Sequence, residues 1–293
     1  MSLPVRPVGG PAGGRRRGPA RASAARRSAD RVAAVVVLVA ALVALGGLCV
    51  SPAFALGTAG VEVVGARYVD GATVTAALGL DGPDRPNLMT LRTLDLEAAL
   101  RKLPAVDPAR ADAVAVRVAL PDRLVITLHE REPIVIWQAA GRRFLVDQTG
   151  MLFAEAPADG DAPRLPSVAD GRASSAELGV GQQLDATDIA AARRLAALTP
   201  AFLGSAATGL TLAVTDDEGF TLDALPAAWH AIFGIYTPSL RPPSLVDGQA
   251  QCLASLIATR EATLGTVYLA PGGDRCGTFT TRPASSAKPS PTP

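Results

Sequence analysis

The feature that most constrains this chain is a run without a single charge, from Val32 to Leu56. It reads Val-Ala-Ala-Val-Val-Val-Leu-Val-Ala-Ala-Leu-Val-Ala-Leu-Gly-Gly-Leu-Cys-Val and continues through Ser51-Pro52-Ala53-Phe54-Ala55-Leu56. A helix crosses ~30 Å of hydrocarbon with ~20 apolar residues, so the run is long enough to span a bilayer. A helix apolar all round needs either lipid or a large core around it. The sequence therefore predicts one transmembrane helix over residues 32–56. Ala53-Phe54-Ala55 also fits an A-x-A signal-peptidase site, and cleavage after Ala55 would release a soluble domain. The run exceeds the ~7–15 residues of a signal-peptide core, which favours a retained anchor.

Charge orients the anchor. Residues 1–31 hold eight arginines (Arg6, Arg15, Arg16, Arg17, Arg21, Arg26, Arg27, Arg31) and one acid, Asp30, a net of +7. The remainder carries −6. Positive flanks stay in the cytoplasm, so the N-terminus is expected there and the larger part beyond the membrane, a type II single-pass arrangement. The Gly-, Pro- and Arg-rich segment 1–31 is expected to be a disordered basic tail. The acidic balance of the rest argues against nucleic-acid binding by the chain as a whole.

Beyond the span the pattern is α+β. Val61–Val64 reads as a strand ended by Gly65, and Asp70 is placed to cap a helix that runs through Leu80. A second helix is expected over Asp95–Leu103, with Leu96, Leu100 and Leu103 on one face, and Pro104 ends it. Two β-rich runs, 113–118 and 123–130, flank Leu120-Pro121-Asp122 as a hairpin. Two helices on a three-stranded sheet is the packing this order predicts. A meander follows over 134–138, 142–146 and 151–153, then a Pro-, Asp- and Gly-rich loop from Ala156 to Pro166. A helix is expected from Thr187 to Leu198, a hairpin around Asp216–Gly219, a helix from Asp247 to Thr259, and late strands at 265–270 and 275–281. The Pro- and aromatic-rich segment Pro226–Pro243 reads as irregular, with His230 in a loop or helix. The segment 282–293 reads as a second disordered tail.

No catalytic motif stands out. G-x-S-x-G, P-loop, H-E-x-x-H and dinucleotide-binding patterns are lacking in the sequence. His129 and His230 are the two histidines, and no C-x-x-C pair exists, so neither a metal site nor a cofactor is expected. Asp147-Gln148-Thr149-Gly150 reads as turn chemistry rather than as a catalytic acid, since no second carboxylate or nucleophile accompanies it. Asp216-Asp217-Glu218 lacks the spacing of a calcium loop. Cys252 and Cys276 fall where oxidation is permitted, and both a disulfide and two buried free thiols fit the sequence.

Several pieces of sequence, taken in order, resemble the FtsQ/DivIB family of bacterial cell-division proteins and its POTRA domain. They are Val61-Glu62-Val63-Val64-Gly65, Asn87-Leu88-Met89, Leu103-Pro104-Ala105-Val106, Val116–Ile126, Glu130-Arg131-Glu132-Pro133-Ile134, Trp137 and Phe144–Phe153. The resemblance covers roughly residues 32–279. It implies a POTRA domain of β-α-α-β-β order at 57–131 and an FtsQ-like mixed β domain with flanking helices at 132–281. It also implies a non-enzymatic scaffold at the division septum. Such a scaffold binds FtsB/DivIC-like and FtsL-like bitopic proteins and, through them, the septal peptidoglycan synthase. A partner strand added to a free sheet edge is the mechanism expected, with Val267, Tyr268, Leu269 and Phe279 as the candidate edge. The segment after Val267 departs from the family pattern: Tyr268-Leu269-Ala270 stands where an Asp-Leu-Arg-like strand is expected. A cell-wall-active enzyme, secreted or anchored, and another POTRA-bearing assembly or transport factor are the alternatives.

Overall fold

The computed structural model describes residues 20–57, 60–82, 86–157, 165–226, 229–271 and 275–282. Helix α1 spans Ala20–Cys49. Its window Arg31–Leu48 has a mean hydropathy of 2.5 and is long and apolar enough to cross a membrane. The helix starts inside the stretch expected to be disordered. Ala and Arg are strong helix formers, and an apolar helix downstream removes the nucleation cost of extending it. The rest of that basic segment and residues 283–293 lie outside the described residues.

Two β sheets follow. The first joins β1 (Val61–Val64), β2 (Val114–Ala119) and β3 (Arg123–Leu128) in the order β1-β3-β2. The β1–β3 pair is parallel, with Val61 opposite Leu124, and the β2–β3 pair is antiparallel, with Val114 opposite Leu128. Helices α2 (Gly71–Ala77) and α3 (Thr93–Leu100) connect β1 to β2. The Asp70 carboxylate caps α2 by accepting the Thr73 amide at 2.6 Å. The α3 boundary sits earlier than Pro104 suggested. Residues 101–105 turn instead, and the Glu97 carboxylate reaches across to accept the Val116 amide at 3.0 Å. Val74, Leu100, Val116, Leu124, Ile126 and Leu128 fill the core, and Leu56 joins them from the segment just past α1. Burial of one face of each element drives this packing, as the period-2 and period-3.6 patterns require.

The second sheet contains β4 (Val135–Ala139), β5 (Arg142–Val146), β6 (Leu152–Glu155), β7 (Ser167–Asp170), β8 (Gly209–Thr215), β9 (Gly219–Leu225), β10 (His230–Gly234), β11 (Leu264–Leu269) and β12 (Gly277–Thr281). Their order is β12-β11-β10-β9-β8-β7-β4-β5-β6. Helices α4 (Ala186–Ala196), α5 (Pro200–Leu203) and α6 (Leu245–Arg260) accompany it. Trp137, Phe144, Phe220 and Phe233 from the sheet meet Ile189, Leu195, Leu253 and Ile257 from α4 and α6 in one core. Two strands exceed the sequence reading. β7 has only four residues and lies parallel to both β4 and β8. β10 lies inside the Pro- and aromatic-rich segment, so His230 belongs to a strand and not to a loop or helix. Ala231 and Phe233 alternate inward there, but the flanking Trp229 and Tyr236 are buried too and blur the period.

The two sheets are joined by direct contacts. Ile136, Leu145, Phe153 and Ala154, on the sheet face turned away from α4, pack with Ala105 and Tyr68 of the first unit. The Tyr68 ring meets Phe153 edge-on at 5.7 Å. The Glu130 carboxylate accepts three successive amides, Arg67, Tyr68 and Val69, at 2.8–2.9 Å. Arg131 donates through Nε to the Pro104 carbonyl at 2.8 Å, and its guanidinium pairs with Asp147 in the β5–β6 turn.

Candidate partner-binding edge

β12 is the last strand of the large sheet, and it pairs with β11 alone among the described residues. Its outer amides and carbonyls are thus open to a further strand. β11 is paired on both flanks, parallel to β10 and antiparallel to β12. Of the residues expected at the edge, Val267 and Leu269 point into the core, while Tyr268 is 49% exposed on the face away from α6. Phe279 is the one that lies on the open strand itself, opposite Val267 and half-buried against the same core. A row of neighbours crosses the face away from α6: Ala213, Thr221, Ile232, Tyr268 and Thr278, with Thr221 buried at its centre. Three of the four residues expected at the edge thus lie on β11, one strand inward of it. A period-2 pattern shows which face a strand buries, not how many neighbours it has.

Several interactions hold β12 in place. Cys252 of α6 and Cys276, the residue before β12, form a disulfide. The Arg260 guanidinium sits 5.1 Å from the Phe279 ring centroid. The Thr280 hydroxyl accepts the Thr266 amide at 3.0 Å, and the Arg282 amide donates to the Thr263 carbonyl at 2.8 Å. Gly277 takes φ +107°, and a Cβ there would overlap the Tyr268 carbonyl oxygen. Only glycine adopts that geometry without strain.

The remaining polar groups act as latches within the fold. Asp147 accepts from Thr149 N–H (2.8 Å), the Thr149 hydroxyl (2.7 Å) and Met151 N–H (3.0 Å) in addition to Arg131. Burial raises its pKa, but these donors outweigh that and hold it below the usual carboxylate value. Asp170 is a second such hub. Its carboxylate accepts Trp137 Nε1–H at 2.9 Å, the Ser175 hydroxyl at 2.6 Å and Arg172, which also pairs with Asp188. Here too burial opposes ionisation and the donors win. Glu261 ties α6 to the start of β8 by accepting the Ala206 amide at 3.0 Å. His230 contacts Asp223 at 2.6 Å on the face away from α6, and His129 lies 3.7 Å from Asp112. No nucleophile contacts either histidine among these pairs. Among the described residues, no cluster of three metal-ligating side chains is found.

Residues 58–131 match the family model of the POTRA domain, FtsQ-type. The chain is 32% identical over 147 residues to the cell division protein FtsQ of Chloroflexus aurantiacus. It is 31% identical over 147 residues to that of Chloroflexus aggregans. Each match covers 49% of this chain and 49% of the relative, so the chain aligns with about half the length of these curated relatives. An apolar N-terminal helix, a POTRA domain and a β-rich domain define the class: an α+β protein behind a membrane-spanning candidate. Within that class, residues 58–131 carry the FtsQ-type POTRA domain, and the chain is similar to FtsQ cell division proteins over about half its length.

Proposed function

We propose that this chain is a non-enzymatic scaffold of cell division. α1 anchors it with the N-terminus in the cytoplasm, and the rest stands beyond the membrane at the septum. There it gathers FtsB/DivIC-like and FtsL-like bitopic proteins and, through them, the septal peptidoglycan synthase. The open outer edge of β12 carries this reading, because main-chain pairing to an added strand supplies affinity and alternate side chains supply specificity. Tyr268 and Phe279 flank that edge on its two faces, with Val267 and Leu269 backing it from the core. The relatives' name and the FtsQ-type domain support the division role. Retention of the anchor, rather than release after Ala55, is supported by the start of the first unit. Ala55 bridges Asn87, and Leu56 is buried. Cleavage there would cut through paired structure.

A proline scan of Thr278–Thr281 tests the edge. Successive strand residues alternate the direction of their amides. Proline at the outward positions should leave the thermal midpoint near wild type yet abolish capture of a partner segment. Equal capture by every folded variant would refute strand addition at β12. An N-terminal fluorescent fusion in native cells checks the wider role: a band at the division plane is expected, and uniform membrane signal throughout the cycle would refute it.

A further inference from the structure

Helix α1 ends at Cys49, and the chain is taken into the first unit almost at once. Asn87 Nδ2 donates to the Ser51 carbonyl at 3.1 Å. The Leu88 amide donates to the Phe54 carbonyl at 2.8 Å, and the Leu56 amide to the Pro86 carbonyl at 3.0 Å. The Gly57 amide reaches the Asp122 carbonyl at 3.4 Å. The tether is thereby stapled both to the 86–90 loop and to the β2–β3 hairpin. One residue, Val50, separates the helix end from the first staple at Ser51, a reach of at most ~7 Å. The headgroup region adds ~5–8 Å per leaflet beyond the hydrocarbon. If α1 spans, the stapled loop sits at headgroup depth.

The surface on these two staples is apolar beyond what a solvent-facing loop requires. Val50 on the tether is 68% exposed, Met89 beside Asn87 is 45% exposed and Leu120 at the hairpin is 56% exposed. Leu94, in the first turn of α3 just past the same loop, is 75% exposed. The nearby charges are of both signs: Arg92 pairs with Asp95 at 3.4 Å, and Asp122 adjoins Arg123. Long arginine stems can lie along an apolar surface and keep their heads in water.

We propose that Val50, Met89 and Leu120 enter the headgroup–acyl boundary of the bilayer that holds α1. The occupant of this surface is that bilayer. The first unit is thus seated on the membrane rather than swinging from a linker, which sets the direction in which the large sheet and its β12 edge project. Because the charges are mixed, apolar contact carries the seating, and zwitterionic lipid suffices. The inference rests on the reading of α1 as a spanning helix.

The test uses the full chain in phosphatidylcholine proteoliposomes, in a Cys49→Ala background with the Cys252–Cys276 disulfide intact. Single cysteines carry a fluorophore at Val39, Met89, Leu120 or Leu240, the last an exposed residue of the second unit. Spin-labelled lipids quench at acyl or headgroup depth. Loss of most fluorescence is expected at Val39 with the acyl quencher and at Met89 and Leu120 with the headgroup quencher, and none at Leu240. No quenching at Val39 would overturn the spanning reading and the seating with it. Quenching at Val39, with Met89 and Leu120 no dimmer than Leu240, would overturn the seating alone. A Gly-Ser linker of about ten residues before Ser51, with a coil reach of roughly 17 Å, should return both sites to the Leu240 level. Persistent quenching in that variant would refute the tether argument.

Discussion

Arg131→Met removes a guanidinium that both sheets depend on while keeping its apolar stem. The Arg131 and Asp147 side chains are only 10% and 7% exposed, so the pair is largely dehydrated. Breaking a buried pair by removing one partner costs ~3–5 kcal/mol, because the remaining charge is stranded. Asp147 keeps Thr149 and Met151 as donors, which favours the lower end of that range. The Pro104 carbonyl also loses the Arg131 Nε donor, a loss of about 1 kcal/mol. The expected total is roughly 3–4 kcal/mol. Urea unfolding of the detergent-solubilised chain reads it out, with Trp137 and Trp229 reporting on the second unit and circular dichroism on both. Asp147→Asn should lose a comparable amount, because its carbonyl still caps the turn but its amide N–H faces the stranded Arg131 guanidinium. The double variant should show at least ~1 kcal/mol of coupling. The pH dependence follows from the lowered pKa of Asp147. A depressed carboxylate stabilises the fold above the unfolded value of about 3.9, and that stability is lost as pH falls through the folded pKa. Wild type should therefore weaken more steeply below about pH 4 than Asp147→Asn does. A loss under ~0.5 kcal/mol for Arg131→Met, or strict additivity in the cycle, would refute the latch.

Asp170→Asn should destabilise by about 2–3 kcal/mol, since Arg172 and Ser175 lose a charged acceptor. A red shift of Trp137 emission should accompany it, because the indole donates to the same carboxylate. Cys252→Ser with Cys276→Ser opens a loop of sequence separation 24. The chain-entropy cost is about 3.5 kcal/mol, and hydrogen exchange should accelerate first in β12. Gly277→Ala forces a Cβ onto the Tyr268 carbonyl at positive φ. It should unpair β12 and abolish partner capture while the first unit's β1-β3-β2 sheet keeps its exchange protection.

Much of the architecture was legible because local signals agreed with tertiary demands. Asp70 capped the helix it was expected to cap, and the alternation at 113–118 and 123–130 became adjacent antiparallel strands. β7 was missed because Ser-Val-Ala-Asp offers one large apolar residue, Val168, and it is parallel to both of its neighbours, which no short-range turn announces. β10 was missed because its buried flanking aromatics continue the apolar signal past the strand ends.

The candidate site divides along the same line. That late strands exist, and that Phe279 lies in one of them, followed from residue type and spacing. Which of those strands is the edge did not, because the position of a strand in a sheet is a property of long-range pairing. Cys252 and Cys276 fitted two redox states as letters; their approach across α6 and the chain before β12 decided for a disulfide. The apolar run by itself determined a helix long and apolar enough to span a bilayer, since ~20 apolar residues at helical rise match the hydrocarbon thickness. Only the tertiary structure decided that the chain leaving it is stapled to the first unit within a few residues, because those bonds join Ser51–Gly57 to partners thirty or more positions away.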